Sequence, residues 1–146
     1  MNYGTFNNRK ISFKCADDFD IVDTNNGGYI VRLGNNTTGS AINLAVSENS
    51  GDSLGDICNK TVEDFKRHGL KVLSSKVSRK FGKDIIAINY LQSHEGVNVI
   101  RKSLGFVIVN DFYTFEYAFV EGNSTSKDEE AFRIAIESFK VNKPYY

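Results

Sequence analysis

The chain has 146 residues, of which 40% are apolar and 25% charged. This is the composition of one ordinary globular domain and excludes wholesale disorder. Eighteen basic side chains balance eighteen acidic ones, so no long-range field draws in nucleic acid or an anionic membrane, and neither is expected as a partner.

Met1 is followed by Asn2, Tyr3 and Gly4, without the basic and apolar regions of a signal peptide. No stretch approaches the run of about eighteen apolar residues that a membrane helix needs. The sequence as it stands is expected to be cytoplasmic, or extracytoplasmic if a signal segment was removed before Met1. Cys15 and Cys58 are too few for a disulfide framework or a cysteine metal site, and both are expected to be reduced. No repeat, proline-rich linker or like-charge block divides the chain. One domain over residues 3–141 with a short tail at 142–146 is expected.

In chain order, Ile11 to Lys14 reads as a short strand. Phe19 to Asp23 and Tyr29 to Leu33 are extended segments joined by "TNNGG", whose Asn and Gly residues suit a hairpin. After the loop "GNNTTGS", Ala41 to Glu48 alternates Ile42, Leu44 and Val46 inward against Asn43 and Ser47. Ser53 caps a helix with Asp56 three residues on, and Leu54, Ile57, Cys58, Val62 and Phe65 form its apolar stripe. Gly69 stops it.

Four strands follow: Lys71 to Arg79, Asp84 to Leu91, Val97 to Val109 and Phe112 to Val120. The short gaps "KFGK", "SHEG" and "ND" require antiparallel neighbours. A second helix spans Lys127 to Ser138, with Ser126 as its expected cap and Phe132, Ala135, Ile136 and Phe139 as its buried stripe. Helices that interrupt a run of strands give an α+β sandwich and argue against a dinucleotide fold.

None of the common phosphate-loop, dinucleotide, zinc-protease or nucleophile-elbow motifs is present. "DTNNGGYIVRLG" begins like a calcium loop, but Gly27 and Gly34 stand where oxygen ligands belong, so a glycine hairpin is expected. Asp17, Asp18, Asp20 and Asp23 form an acidic run. Alternation along an extended segment points them both ways, which favours a solvated turn over a metal site. A Cys–His nucleophile would need Cys15 beside His68 or His94, since Cys58 falls on the apolar side of the first helix.

Two surfaces could bind a partner. Lys76, Arg79, Lys80 and Lys83 surround one hairpin tip together with Phe81, which could stack on a base. One tip on a neutral chain releases few counterions, and a solvated turn is favoured. In the last long strand Tyr113, Phe115, Tyr117 and Phe119 share one face. Such a row is core if a helix covers it, and a platform for a peptide or helix if the face is partly open.

The order of elements resembles a known family. Tyr3 and Phe6 precede "ISFKCADDF", then a hairpin, the strand "INLAVSE" and the helix "SLGDICNKTVEDFKRHG". Next come "KVLSSKVSRKFGKDIIAINYLQ", two long strands ending in "FYTFEYAFVEG", and a helix closing in "IESFKV". This resembles the PsbP-like domain, shared by photosystem PsbP proteins, bacterial DcrB and the yeast Ran-release factor. Cys15-Ala16 stands where that family usually has Tyr-Pro, and Phe19 stands at its aromatic plug.

The resemblance implies an α/β/α sandwich around a mostly antiparallel sheet. It also implies a non-enzymatic binding or accessory module with no catalytic residue to carry over. Metal binding is known among its photosystem members, but no matching ligand set stands in this sequence, and no cofactor or metal is expected. A protein or peptide partner is expected, met at a sheet face around Tyr113, Phe115, Tyr117 and Phe119 or at the "DTNNGG" and "SHEG" loops. The alternatives are a small hydrolase using the acidic run and an extracytoplasmic lipoprotein domain that has lost its signal.

Overall fold

A computed structural model of the chain describes residues 2–49 and 51–143. It begins with the hairpin β1 (Tyr3–Asn7) and β2 (Ile11–Ala16), then β3 (Asp20–Asn26), β4 (Tyr29–Gly34) and β5 (Ala41–Glu48). Helix α1 (Leu54–Arg67) leads into a four-strand meander: β6 (Lys71–Lys80), β7 (Lys83–His94), β8 (Val97–Ile108) and β9 (Asp111–Val120). Helix α2 (Ser126–Ser138) and the two-residue strand β10 (Lys140–Val141) close the fold.

The turns sit where residues take a positive φ. Phe81 and Gly82 (φ 53° and 70°) join β6 to β7, and Glu95 and Gly96 (51° and 81°) join β7 to β8. Two positive-φ residues in succession give the mirror-image turn whose twist matches the strands it connects. The hydroxyl of Ser53 accepts from the Asp56 amide at 3.1 Å to start α1. The cap of α2 is Thr125, one residue before the expected Ser126. Its extended backbone aims the hydroxyl at the Asp128 amide, 3.1 Å away.

Seven strands form one sheet in the order β3-β4-β5-β9-β8-β7-β6, antiparallel at every pair. In the smaller sheet β1-β2-β10, only β2 answers to an expected strand, that over Ile11 to Lys14. β1 is mostly exposed and β10 has two residues, so neither shows a hydrophobic period. Pairing of β10 with β2 carries the Asn142 amide to the Lys10 carbonyl, so the first residue of the expected tail is held there. Residues 144–146 lie outside the described residues.

The two faces of the large sheet have different covers. One face carries Leu44, Phe106, Tyr113, Phe115 and Tyr117, buried beneath Phe13 and Ile11 of β2 and Phe132, Ile136 and Phe139 of the α2 region. The opposite face carries Ile86, Ile88 and Tyr90 against Cys58, Ile57, Val62 and Phe65 of α1. The architecture is the α+β, α/β/α sandwich expected from the sequence, with the small sheet sharing the layer of α2.

Each cover reaches only part of its face. Helix α1 packs on β6 and β7, whereas α2 packs on β2 and β9. The coverage is diagonal, leaving one open region on each face at opposite ends of the sheet.

Candidate functional site

The aromatic row is the first residue set to place. Tyr113, Phe115, Tyr117 and Phe119 are all buried. Phe139 lies 5.0 Å from Tyr113 and 5.5 Å from Phe115, ring centre to ring centre, and Phe132 lies 5.7 Å from Tyr117. Phe13 meets Phe115 edge-on at 5.3 Å. The expected platform is therefore corrected: these four rings are core and present no surface to a partner. Burial of their large apolar area drives the docking of α2 and β2 onto the sheet.

The same sheet face stays open beyond α2. A groove of about 1020 Å³ runs between α2 and the strands β6 to β8. Ala87, Leu104, Phe132 and Ile136 give it an apolar floor, and Ser74, Ser75 and Asn89 add polar groups. Register explains why it adjoins the row: Leu104 is opposite Phe115, and Lys76 is opposite Ala87 at the far side.

Charge on the groove is uneven. On the α2 wall, Lys102 Nζ meets Glu129 Oε1 at 2.8 Å, and that hydrogen bond holds the Glu129 carboxyl below the usual carboxylate range. Arg133 pairs with Glu130 and reaches Glu137 at 2.6 Å. On the opposite wall, Lys76 and Lys80 have no ion pair or side-chain hydrogen bond among the described residues. The groove thus has four cations (Lys76, Lys80, Lys102, Arg133) against two carboxylates (Glu129, Glu130), and its unpaired charge lies on β6.

The basic patch expected at the hairpin tip divides accordingly. Arg79 bonds to Asp84 at 3.0 Å and to the Gly82 carbonyl, and Lys83 lies over the Phe106 ring at 5.5 Å. Only Lys76 and Lys80 turn to the groove. Phe81 is half-buried against the core and lines the same groove.

The α1 side holds the second open region, one concavity of about 660 Å³ adjoining another of about 270 Å³. Its floor contains a buried network that the sequence reading missed. Tyr90 donates to Glu116 Oε2 at 2.5 Å, Arg101 Nη1 donates to Oε1 at 2.7 Å, and Arg101 Nε donates to Gln92. Burial, with the Glu116 charge second, pushes the Tyr90 phenol above its ordinary value, so it remains a protonated donor. At the rim the Arg32 guanidinium lies 4.2 Å over the Tyr29 ring. The signal in the sequence was Glu116, a lone charge inside the apolar run "FYTFEYAFV".

The remaining candidates do not assemble. Asp17, Asp18 and Asp20 are exposed, while Asp23 faces Arg32 at 3.7 Å. Among the described residues, no three His, Cys, Asp or Glu side chains converge as a metal site. Burial, then the charges of Asp17 and Asp20, push the Cys15 thiol up, away from a reactive thiolate. His68 bonds within α1 to Asp64, and His94 sits beside Glu95 in an exposed turn. The "DTNNGG" loop borders the α1-side cleft through Gly27 and Gly28, and "SHEG" ends as the exposed Glu95–Gly96 turn. Phe19 is buried as the plug that follows Ala16.

Comparison with known proteins bears on the fold. No family model and no curated protein sequence matches the chain. Among solved structures, cyanobacterial PsbP (CyanoP) from Synechocystis sp. PCC 6803 superposes with a TM-score of 0.67 at 11% identity, covering 96% of this chain and 92% of that one. The fold is PsbP-like. LpqN of Mycobacterium tuberculosis shares this PsbP-like fold with a TM-score of 0.67 at 9% identity, covering 97% of this chain and 91% of that one. A structure from Bacteroides thetaiotaomicron VPI-5482 gives 0.66 at 12% identity over 93% of this chain. The PsbP-like chain spans only 46% of that longer protein.

Proposed function

We propose that this chain is a non-enzymatic accessory module that binds a protein or peptide segment in the groove between α2 and β6. One observation carries the choice of surface. Tyr90, Glu116 and Arg101 in the α1-side cleft satisfy one another, whereas Lys76 and Lys80 line the α2-side groove with no counter-charge among the described residues. A self-satisfied network holds a fold together, and an uncompensated pair of cations beside an apolar floor is available to a ligand.

The chemistry of the clefts also favours binding over catalysis. A general base or nucleophile needs a group poised to change its proton near neutral pH. In the α1-side cleft Tyr90 is instead held as a protonated donor to Glu116.

Affinity capture from extract of the native cells tests the reading, with wild-type protein compared to the Lys76→Glu/Lys80→Glu double variant. The partner should be retained by the wild type and lost by the variant, with the melting temperature unchanged because both lysines are exposed. Equal retention by the two proteins contradicts the choice of groove. A second reading concerns location: LpqN, which has this fold, is involved in cell envelope biogenesis, and that favours extracytoplasmic placement. The reading frame upstream of Met1 tests it.

A further inference from the structure

Strand β6 is an edge of the seven-stranded sheet, with β7 on one side and, among the described residues, no strand on the other. Its pairing with β7 is unbroken from Ser74 to Lys80, after a bulge at Val72–Ser74. Seven residues of regular strand span about 23 Å, and their outward N–H and C=O groups are a template for another strand. Most of β6 is exposed, including Val77 on the α1 side.

The strand "KVLSSKVSRK" contains four basic residues and no acidic one. Lys76 and Lys80 are four apart, so both point to the groove face about 13 Å from each other. Lysines on an edge oppose self-association, because two copies of β6 pairing antiparallel bring like charges together. The same charges attract a strand of opposite sign. A device that rejects one partner therefore selects another.

From the edge strand and its charge together, we infer that an acidic segment in extended conformation adds as an eighth strand beside β6, along the outer rim of the groove. Carboxylates on one face of that segment meet Lys76 and Lys80. Apolar side chains on its other face lie beside Val77. This names the partner class for the groove reading above and rests on it.

The probe is a fluorescein-labelled synthetic peptide of alternating glutamate and valine, followed by anisotropy and by amide NMR of the labelled protein. The wild type should bind it, with affinity falling as salt rises. Outward amides between Ser74 and Lys80 should gain protection from exchange. The Lys76→Glu/Lys80→Glu variant should bind about tenfold more weakly, within the range that two exposed ion pairs supply. A peptide of the same charge with a central proline should also bind poorly, because proline breaks the ladder.

Equal binding of the proline peptide overturns strand addition. Tighter binding of a short oligonucleotide than of the peptide overturns the acidic-segment class. If a lysine-valine peptide shifts the groove resonances while the glutamate peptide does not, the partner class is wrong and the groove stands. If no peptide of either charge perturbs residues of the groove, the groove reading falls with the inference.

Discussion

Val109 occupies the left-handed region at φ 58° in the turn between β8 and β9, with its side chain 63% exposed. A β-branched residue there is strained by roughly 1–2 kcal/mol, and little packing offsets it. Val109→Asn should therefore stabilise the protein by about 1 kcal/mol, read as a higher midpoint of urea unfolding. A lower midpoint would show that the Val109 side chain contributes packing. Tyr90 gives a second prediction. Its phenol is raised above the ordinary 10.0 by burial and by Glu116. As the pH climbs past that ordinary value, the unfolded chain loses the proton while the folded chain keeps it, so stability falls with rising pH. Tyr90→Phe should flatten this alkaline decline. It should also lower stability at neutral pH by about 1–2 kcal/mol, since Glu116 loses a donor. An alkaline slope identical to wild type contradicts the assignment.

The seat of α2 is set by one buried carboxylate. Asp128 accepts from Asn35 Nδ2 at 3.0 Å and from Ser40 Oγ at 2.6 Å, while its own amide is capped by Thr125. Asn35 also holds the loop amides of Thr37 and Thr38, so one carboxylate, through two hydrogen bonds, ties the β4–β5 loop to the start of α2. Asp128→Ala strands two buried donors and should destabilise the fold by roughly 2–4 kcal/mol. Loss below 1 kcal/mol in a denaturant titration would mean that water replaces the carboxylate. Elements of this kind were largely legible. The Ser53 cap, the apolar stripe of α1 and the boundaries of β5 follow from local chemistry that burial then reinforces. Two neighbouring hydroxyls could each cap α2, and only the spacing to Asp128 separates Thr125 from Ser126. Strand β1 could not be read because most of its side chains face water. Strand β10 exists only through its partner β2.

At the scale of the whole molecule, diagonal coverage of the sheet decides what is surface and what is core. The sequence shows that Tyr113, Phe115, Tyr117 and Phe119 share a face, but only the path of α2 shows that the face is closed above them and open above β6 to β8. The basic residues of the β6–β7 hairpin were visible as a patch. Which of them remain unpaired depended on contacts with Asp84 and Phe106, and the ring of Phe106 arrives from a different strand. The Tyr90–Glu116–Arg101 network likewise joins three strands through registers that spacing alone does not fix. The central claim is that the partner sits in the α2–β6 groove. Site-specific photo-crosslinking in the native cells tests it most directly, with benzoylphenylalanine at Ser74 in the groove and at Thr114 in the α1-side cleft. The account predicts one discrete crosslinked partner from position 74 and none from position 114. A partner captured from position 114 alone would contradict it.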